Sequence, residues 1–211
     1  MNQPIDTAEH ILLTAEDLFA RHGVEAVSVR QIQEKAGVNV AAVHYHFGSR
    51  ADLIRAVLRR RVEPLNARRI ALLEVLEAAH PAPAPLALED VLRAFVTPVF
   101  ELLEEEPNAA WLMAHVHTTY DDKLRKWYFE LFAPLVLRFQ PAYLRALPAL
   151  APAVGWARMQ FVWGSMMYLL VRAQRSRTLG ASAPPELPAA ALIDEWVAFC
   201  AAGLRAGKQS P

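Results

Sequence analysis

Apolar residues recur along nearly the whole chain at three- and four-residue intervals, the period of helices that each bury one face. Ile11, Leu12, Ala15, Leu18 and Phe19 form the first such stripe, with Asp6 and Glu9 at capping-box spacing before it and Gly23 after it. Ser28 and Gln31 repeat the spacing ahead of Val29, Ile32 and Ala36, and Gly37 stops that helix. Asn39 can cap a short helix over Val40–His46 that buries Val43 and Phe47 and leaves Ala41, Ala42, His44, Tyr45 and His46 free. Ser49 and Asp52 then open a longer helix that meets Pro64, where it should kink or restart, and continues to about Ala79.

Beyond HPAPAP at 80–85, read as a stiff extended loop, the periodicity predicts helices over 87–105, 108–118, 121–139, 152–178 and 188–206. The expected breaks are Pro107, the Tyr120–Asp121 turn, the Pro141–Pro152 segment and Gly180–Pro188. No alternating strand pattern of useful length and no internal repeat occurs, so the fold class is all-α. The predicted organisation is a three-helix unit with a helix-turn-helix over 1–50, a connector helix over 51–80 and a larger helical domain over 86–211.

The helix over 152–178 is apolar almost all round, so it must be covered on every side. In a domain this small, one face is expected to meet a second copy of the chain. Met159, Val162, Met166 and Leu170, with Leu192, Trp196 and Phe199 of the last helix, are the candidate dimer contacts, two helices per subunit making a four-helix bundle.

Composition changes the picture in one place. The chain of 211 residues balances 22 basic against 22 acidic residues, which by itself argues against nucleic acid. Between Ser28 and Ile70, however, Arg30, Lys35, Arg50, Arg55, Arg59, Arg60, Arg61, Arg68 and Arg69 stand against Glu34, Asp52 and Glu63, a local charge of +6. A basic segment on an acidic body suits one DNA-facing end, although several of these arginines can equally be a solvated helix face. The single Cys200 excludes an internal disulfide and reads as a packing residue. There is no secretory signal pattern, and the most apolar stretch, Met159–Val171, is too short for a bilayer, so a cytoplasmic protein without membrane contact is expected.

Small residues at the start of the 40–46 helix let it approach base edges, and Tyr and His at its end can reach phosphates. Residues 11–61, carried by ILLTAEDLFARHGVEAVSVRQIQEKAGVNVAAVHYHFGSRADLIRAV, resemble the N-terminal domain of the tetracycline-repressor (TetR) family of bacterial regulators, HYHFGSRADL being the most diagnostic stretch. The resemblance implies a dimer reading a palindromic operator in double-stranded DNA. Position by position, it places Ser28 and Arg30 at the backbone or groove edge, Val40, Ala41, Ala42 and His44 toward bases, and Tyr45, His46 and Arg50 on phosphates. Val40, Ala41 and Ala42 can offer only apolar contacts, so Arg30, His44 and DNA shape would carry much of the specificity.

Phe100, Trp111, Met113, His115, Phe129, Phe132, Trp163 and Met167 are the candidate lining of a pocket for a small hydrophobic effector, and equally readable one by one as bundle core. The resemblance supports a pocket among these helices without choosing its lining. Effector binding would displace the segment around Pro64 and so alter the separation of two DNA-binding units. No metal site or cofactor is expected: His115 and His117 lie two apart and do not share a helix face. No nucleophilic or phosphate-cradling signature supports catalysis. The competing readings are a ligand carrier or partner-binding protein without specific DNA recognition, an enzyme or metal protein built on a helical bundle, and an activator rather than a repressor.

Overall fold

The structure is a computed structural model that describes residues 6–117, 119–179 and 187–207, with the side chains of 172–179 left aside. Helices are the only regular structure among the described residues: α1 (Thr7–His22), α2 (Val29–Ala36), α3 (Val40–Phe47), α4 (Arg50–Ala79), α5 (Leu88–Glu105), α6 (Pro107–His117), α7 (Asp122–Glu130), α8 (Ala133–Ala146), α9 (Pro152–Leu179) and α10 (Ala189–Arg205). The all-α expectation holds.

Four local details differ from the sequence reading. Asp6 makes no side-chain cap on α1, and Glu9 pairs with Arg60, 2.5 Å distant, rather than closing a capping box. The chain passes Pro64 without restarting and stays helical from Arg50 to Ala79. Pro141 lies inside α8 rather than ending a helix, and the single helix expected over 121–139 is interrupted at 131–132. HPAPAP is a turn, not an extended spacer: Ala84 N–H donates to the Pro81 carbonyl at 3.0 Å, and Arg145 donates to the carbonyls of His80 and Ala84 at 2.8 and 2.6 Å. The break expected at 180–188 falls mostly outside the described residues.

The chain divides into two compact units, residues 1–64 with 106–132 and residues 65–105 with 133–211. Thus α6 and α7, expected in the C-terminal domain, belong with the first three helices. In the first unit, Ile11, Ala15, Phe19, Val24, Val27, Ile32, Val43, Leu53 and Val57 form the buried centre with Leu112, Met113 and Val116 of α6. Gly23 shows why α6 fits there: it closes α1 at φ 81°, and a Cβ on it would stand 3.4 Å from the His115 ring. The second unit is centred on Leu73, Val91, Leu92, Phe95, Val96, Phe139, Val162, Leu170, Trp196 and Val197.

Candidate functional site

The α2–α3 hairpin is built by local rules. Ser28 N–H donates to Gln31 Oε1 at 2.8 Å while Gln31 N–H returns to Ser28 Oγ at 3.3 Å, so both free donors at the start of α2 are satisfied. Gly37 ends α2 in the left-handed region at φ 65°, which a side chain would disfavour. Asn39 then caps α3 by accepting from Ala42 N–H at 2.8 Å. Ile32 and Ala36 of α2 and Val43 of α3 face inward. What remains of α3 is open: Val40 is 46% exposed and Tyr45 86%, with Ala41, His44 and His46 exposed beside them and Ala42 partly so.

His44 is held by a short bond between Nδ1 and the Gly48 carbonyl, 2.7 Å. A carbonyl can only accept, so Nδ1 carries the proton and the outward Nε2 of the neutral ring is an acceptor. Tyr45 and His46 meet edge to face at 5.1 Å between centroids.

Most of the basic segment has partners within its own units, Arg30, Lys35, Arg55 and Arg59 at the surface and Arg61 and Arg69 largely covered. Arg30 pairs with Glu34 at 2.8 Å and Lys35 with Asp17 at 2.7 Å. Arg61 binds the buried Glu16 at 2.6 Å and Glu106 at 2.5 Å. Arg55 and Arg59 lie over the Trp127 ring at 5.7 and 5.8 Å, and Arg69 is buried against the Phe95 ring at 4.4 Å. Arg50, expected on phosphate, donates to the Val27 carbonyl at 3.0 Å and to that of Val24, tying α4 to the loop before α2. Its place is that of a residue that positions the hairpin.

In the second unit, α5, α8 and α9 enclose a cavity of about 290 Å³. Phe95 forms one wall, Val136, Phe139, Gln140, Tyr143 and Leu144 of α8 a second, and Trp156, Met159 and Trp163 of α9 a third, with Leu147, Leu150 and Leu204 nearby. Leu144 and Trp156 are half exposed and mark its mouth. Of the eight residues expected to contact an effector, Trp163 alone is in this wall. Phe100 is buried in α5 away from the cavity, and Met167 is also absent from its wall. Trp111, Met113, His115, Phe129 and Phe132 belong to the first unit, where His117 meets Phe129 and Tyr128 meets Phe132 edge to face at 5.3 and 5.2 Å between centroids. Burial among these rings lowers the pKa of His117. The sequence showed a density of aromatics; the division of those aromatics between two cores is tertiary.

The dimer contacts need the same correction. Val162, Met166, Leu170 and Trp196 are at most 5% exposed within one protomer, with Trp196 Nε1–H donating to Ser165 Oγ at 3.0 Å. Met159 lines the cavity, and Leu192 is half-buried. Only Phe199, at 73%, stands outward, and it is joined on α9 by Phe161 at 73%, Tyr168 at 56% and Val171 at 38%. The helix has three apolar faces, and the sequence spacing selected the inner one.

Known proteins share this architecture. The family of bacterial regulatory proteins of the tetR type matches residues 11–57, and the tetracyclin repressor-like C-terminal domain matches residues 93–203. Among relatives, the HTH-type transcriptional regulator BetI of Brucella suis is 28% identical over 188 residues, 88% of this chain and 86% of its own. The HTH-type transcriptional repressor Rv3405c of Mycobacterium tuberculosis is 32% identical over 125 residues, 56% of this chain and 63% of its own. In fold, the fatty acid degradation regulator FadR from Bacillus halodurans covers 98% of this chain and 100% of its own, with a TM-score of 0.70 at 14% identity.

The chain belongs to the TetR family, and is a transcriptional regulator with a DNA-binding helix-turn-helix rather than an enzyme. Among the described residues, no helix is long and apolar enough to cross a membrane, and no group of three or more His, Cys, Asp or Glu residues is placed to hold a metal.

Proposed function

We propose that the chain is a repressor that binds a palindromic operator as a homodimer and is released by a small apolar effector. The observation that carries the DNA part is α3: one side chain buried, two side-chain-capped helices fixing its approach, and Val40, Ala41, Ala42, His44, Tyr45 and His46 on its open side. His44 Nε2, an acceptor in the neutral ring, suits the exocyclic amino groups of adenine or cytosine in the major groove. Val40 and Ala41 offer methyl contacts, and Tyr45, with Arg30 and Ser28 on α2, reaches backbone or groove edge. The sign of regulation is carried over from the mycobacterial relative named a repressor.

Dimerisation is supported by the third face of α9. Ala157, Phe161, Gly164, Tyr168 and Val171 follow a three-four spacing, all exposed, beside Phe199 of α10. A second copy applying the same stripe covers both, since a two-fold contact is self-complementary. The effector reading rests on the apolar cavity, at the low end of the roughly 300–1,000 Å³ typical of ligand pockets. The helix shared by both units is α4, so a ligand preferring one position of α4 would act on DNA through it.

The test is fluorescence anisotropy with DNA from upstream of the protein's own gene across several salt concentrations. Tight sequence-dependent binding, weakened roughly tenfold by Tyr45→Ala with unfolding unchanged, supports the reading. The salt slope should be about −0.9 per neutralised phosphate, with Arg61 and Arg69 contributing nothing because they are engaged within the protein. Weak and unselective binding to every DNA would return the carrier reading to first place. Pro64→Ala should change ligand response more than fold; unchanged induction would remove α4 from the mechanism.

A further inference from the structure

The α2–α3 hairpin buries only Ile32, Ala36 and Val43, so polar ties to its neighbours decide how it is aimed. An eight-residue helix with one buried side chain takes its direction from the turn before it. Ahead of α2, Arg50 of α4 donates to the Val27 carbonyl at 3.0 Å and to that of Val24. Behind α2, the backbone donors of the turn are used inside the hairpin. Gly37 N–H goes to the Gln33 and Glu34 carbonyls, and Val38 N–H to Gln33. The Ala36 carbonyl, one of those a helix C-terminus leaves open, takes its donor from another helix.

That donor is His10, in the first turn of α1, whose Nε2 lies 3.1 Å from the Ala36 carbonyl oxygen across 26 positions of sequence. A carbonyl only accepts, so Nε2 carries the proton. Thr14 Oγ donates to the His10 carbonyl at 2.8 Å, and the adjacent Glu9 pairs with Arg60 of α4 at 2.5 Å. One turn of α1 therefore meets α4 through Glu9 and the hairpin through His10. Lys35 and Asp17, 2.7 Å apart, join α2 to α1 as well. That pair is exposed and screened by salt, whereas a carbonyl acceptor carries no net charge to screen.

Resting on the reading of α3 above, we propose that His10 is a positioning residue for DNA recognition. Its bond to the Ala36 carbonyl holds the turn before α3 so that α3 enters the groove in one orientation, without His10 touching DNA. Base edges are read only when the reading side chains are held within about 0.5 Å. Affinity for a specific site falls with the fraction of hairpins in the competent orientation, and losing one hydrogen bond lowers that fraction about fivefold. Non-specific binding rests on phosphates and tolerates a misaimed helix.

The experiment first lets the full-length parent protein select a duplex from a random-sequence pool. Anisotropy then compares the selected duplex with a scrambled one for the parent, His10→Phe and His10→Gln. Phenylalanine keeps a ring and removes the donor, while glutamine keeps an N–H donor at similar reach. His10→Phe should weaken the selected duplex about fivefold and the scrambled duplex by about twofold or less. His10→Gln should restore most of the loss. Urea unfolding of each variant confirms that the titrated protein is folded. A general loss of stability would lower the urea midpoint and leave the ratio of the two affinities unchanged in the folded protein.

No change on either duplex would overturn the proposal by making the tie idle. Equal weakening on both would overturn it by making His10 a phosphate contact or a general support of the fold. A loss in His10→Gln as large as in His10→Phe would overturn it too, since the donor would not be what matters. A parent protein that selects no duplex from the pool would remove the reading of α3, and this proposal with it.

Discussion

The α2–α3 hairpin and helix α9 solve opposite problems. The hairpin buries only Ile32, Ala36 and Val43, and its geometry is set residue by residue through the Ser28–Gln31 box, left-handed Gly37 and the Asn39 cap. Helix α9 runs 28 residues and over 156–171 carries apolar side chains on more than one face. Its neighbours decide what each face means: Val162, Met166 and Leu170 enter the core, Trp156, Met159 and Trp163 line the cavity, and Phe161, Tyr168 and Val171 face outward. A DNA-reading element must keep one side of its backbone free and fixed, which local hydrogen bonds can do. An element that serves core, cavity and interface at once is defined only by what packs on it.

The largest expected effect breaks α9 along its outer face. Phe161→Glu puts a charge on the stripe proposed to meet the partner, and two-fold symmetry counts it twice. Loss of apolar burial plus an unpaired interfacial charge should weaken dimerisation by about 5 kcal/mol or more. Sedimentation should find monomers at micromolar concentration, with operator binding lost and α-helical content retained. A dimer that survives this substitution would place the interface elsewhere. Leu170→Ala, on the inner face, should do the reverse: about 2–5 kcal/mol less stable to urea at fixed protein concentration, for a side chain with no exposure, with the monomer–dimer equilibrium little changed below the transition. Equivalent effects from the two substitutions would erase the distinction between these faces.

The same contrast explains what could be read in advance. Helix boundaries came through to within a residue or two wherever a cap or glycine marks them, as at Ser28, Gly37, Asn39 and Asp121. They failed where a proline was taken to open a break: Pro141 sits inside α8, since tertiary packing of the flanking turns outweighs one missing donor. The exposed side of α3 was legible because burying Val43 fixes the rest of an eight-residue helix. The cavity was not legible. Trp111, Met113 and His115 are as aromatic or polarisable as Phe139, Tyr143 and Trp156, and only the packing of α6 against α1 puts the first group in the other core. Charge misled for a related reason: a count places Arg60 and Arg61 on a basic face, while the fold turns them onto Glu9, Glu16 and Glu106.

Smaller effects sharpen the comparison at helix ends. Ser28→Ala removes one half of the capping box and should cost about 1 kcal/mol, with no dependence on pH between 5 and 9, since neither Ser28 nor Gln31 titrates. In the second unit the corresponding tie is long-range: Arg205 at the end of α10 donates to both Glu89 carboxylate oxygens in the first turn of α5, 116 positions away. That pairing, stronger than the opposing desolvation, holds the Glu89 pKa down at about 2. A carboxyl depressed in the folded protein contributes its stability above the unfolded value near 4.5 and loses it as the pH falls toward 2. Both side chains are more than 40% exposed, so solvent screening keeps the contribution at or below about 1 kcal/mol. Glu89→Gln should therefore destabilise slightly at pH 7, and its difference from the parent chain should shrink steadily between pH 4.5 and 2. Urea unfolding at several pH values checks this; a difference that stays constant through that window would mean the tie acts through packing of the side chains and not through the charge of Glu89.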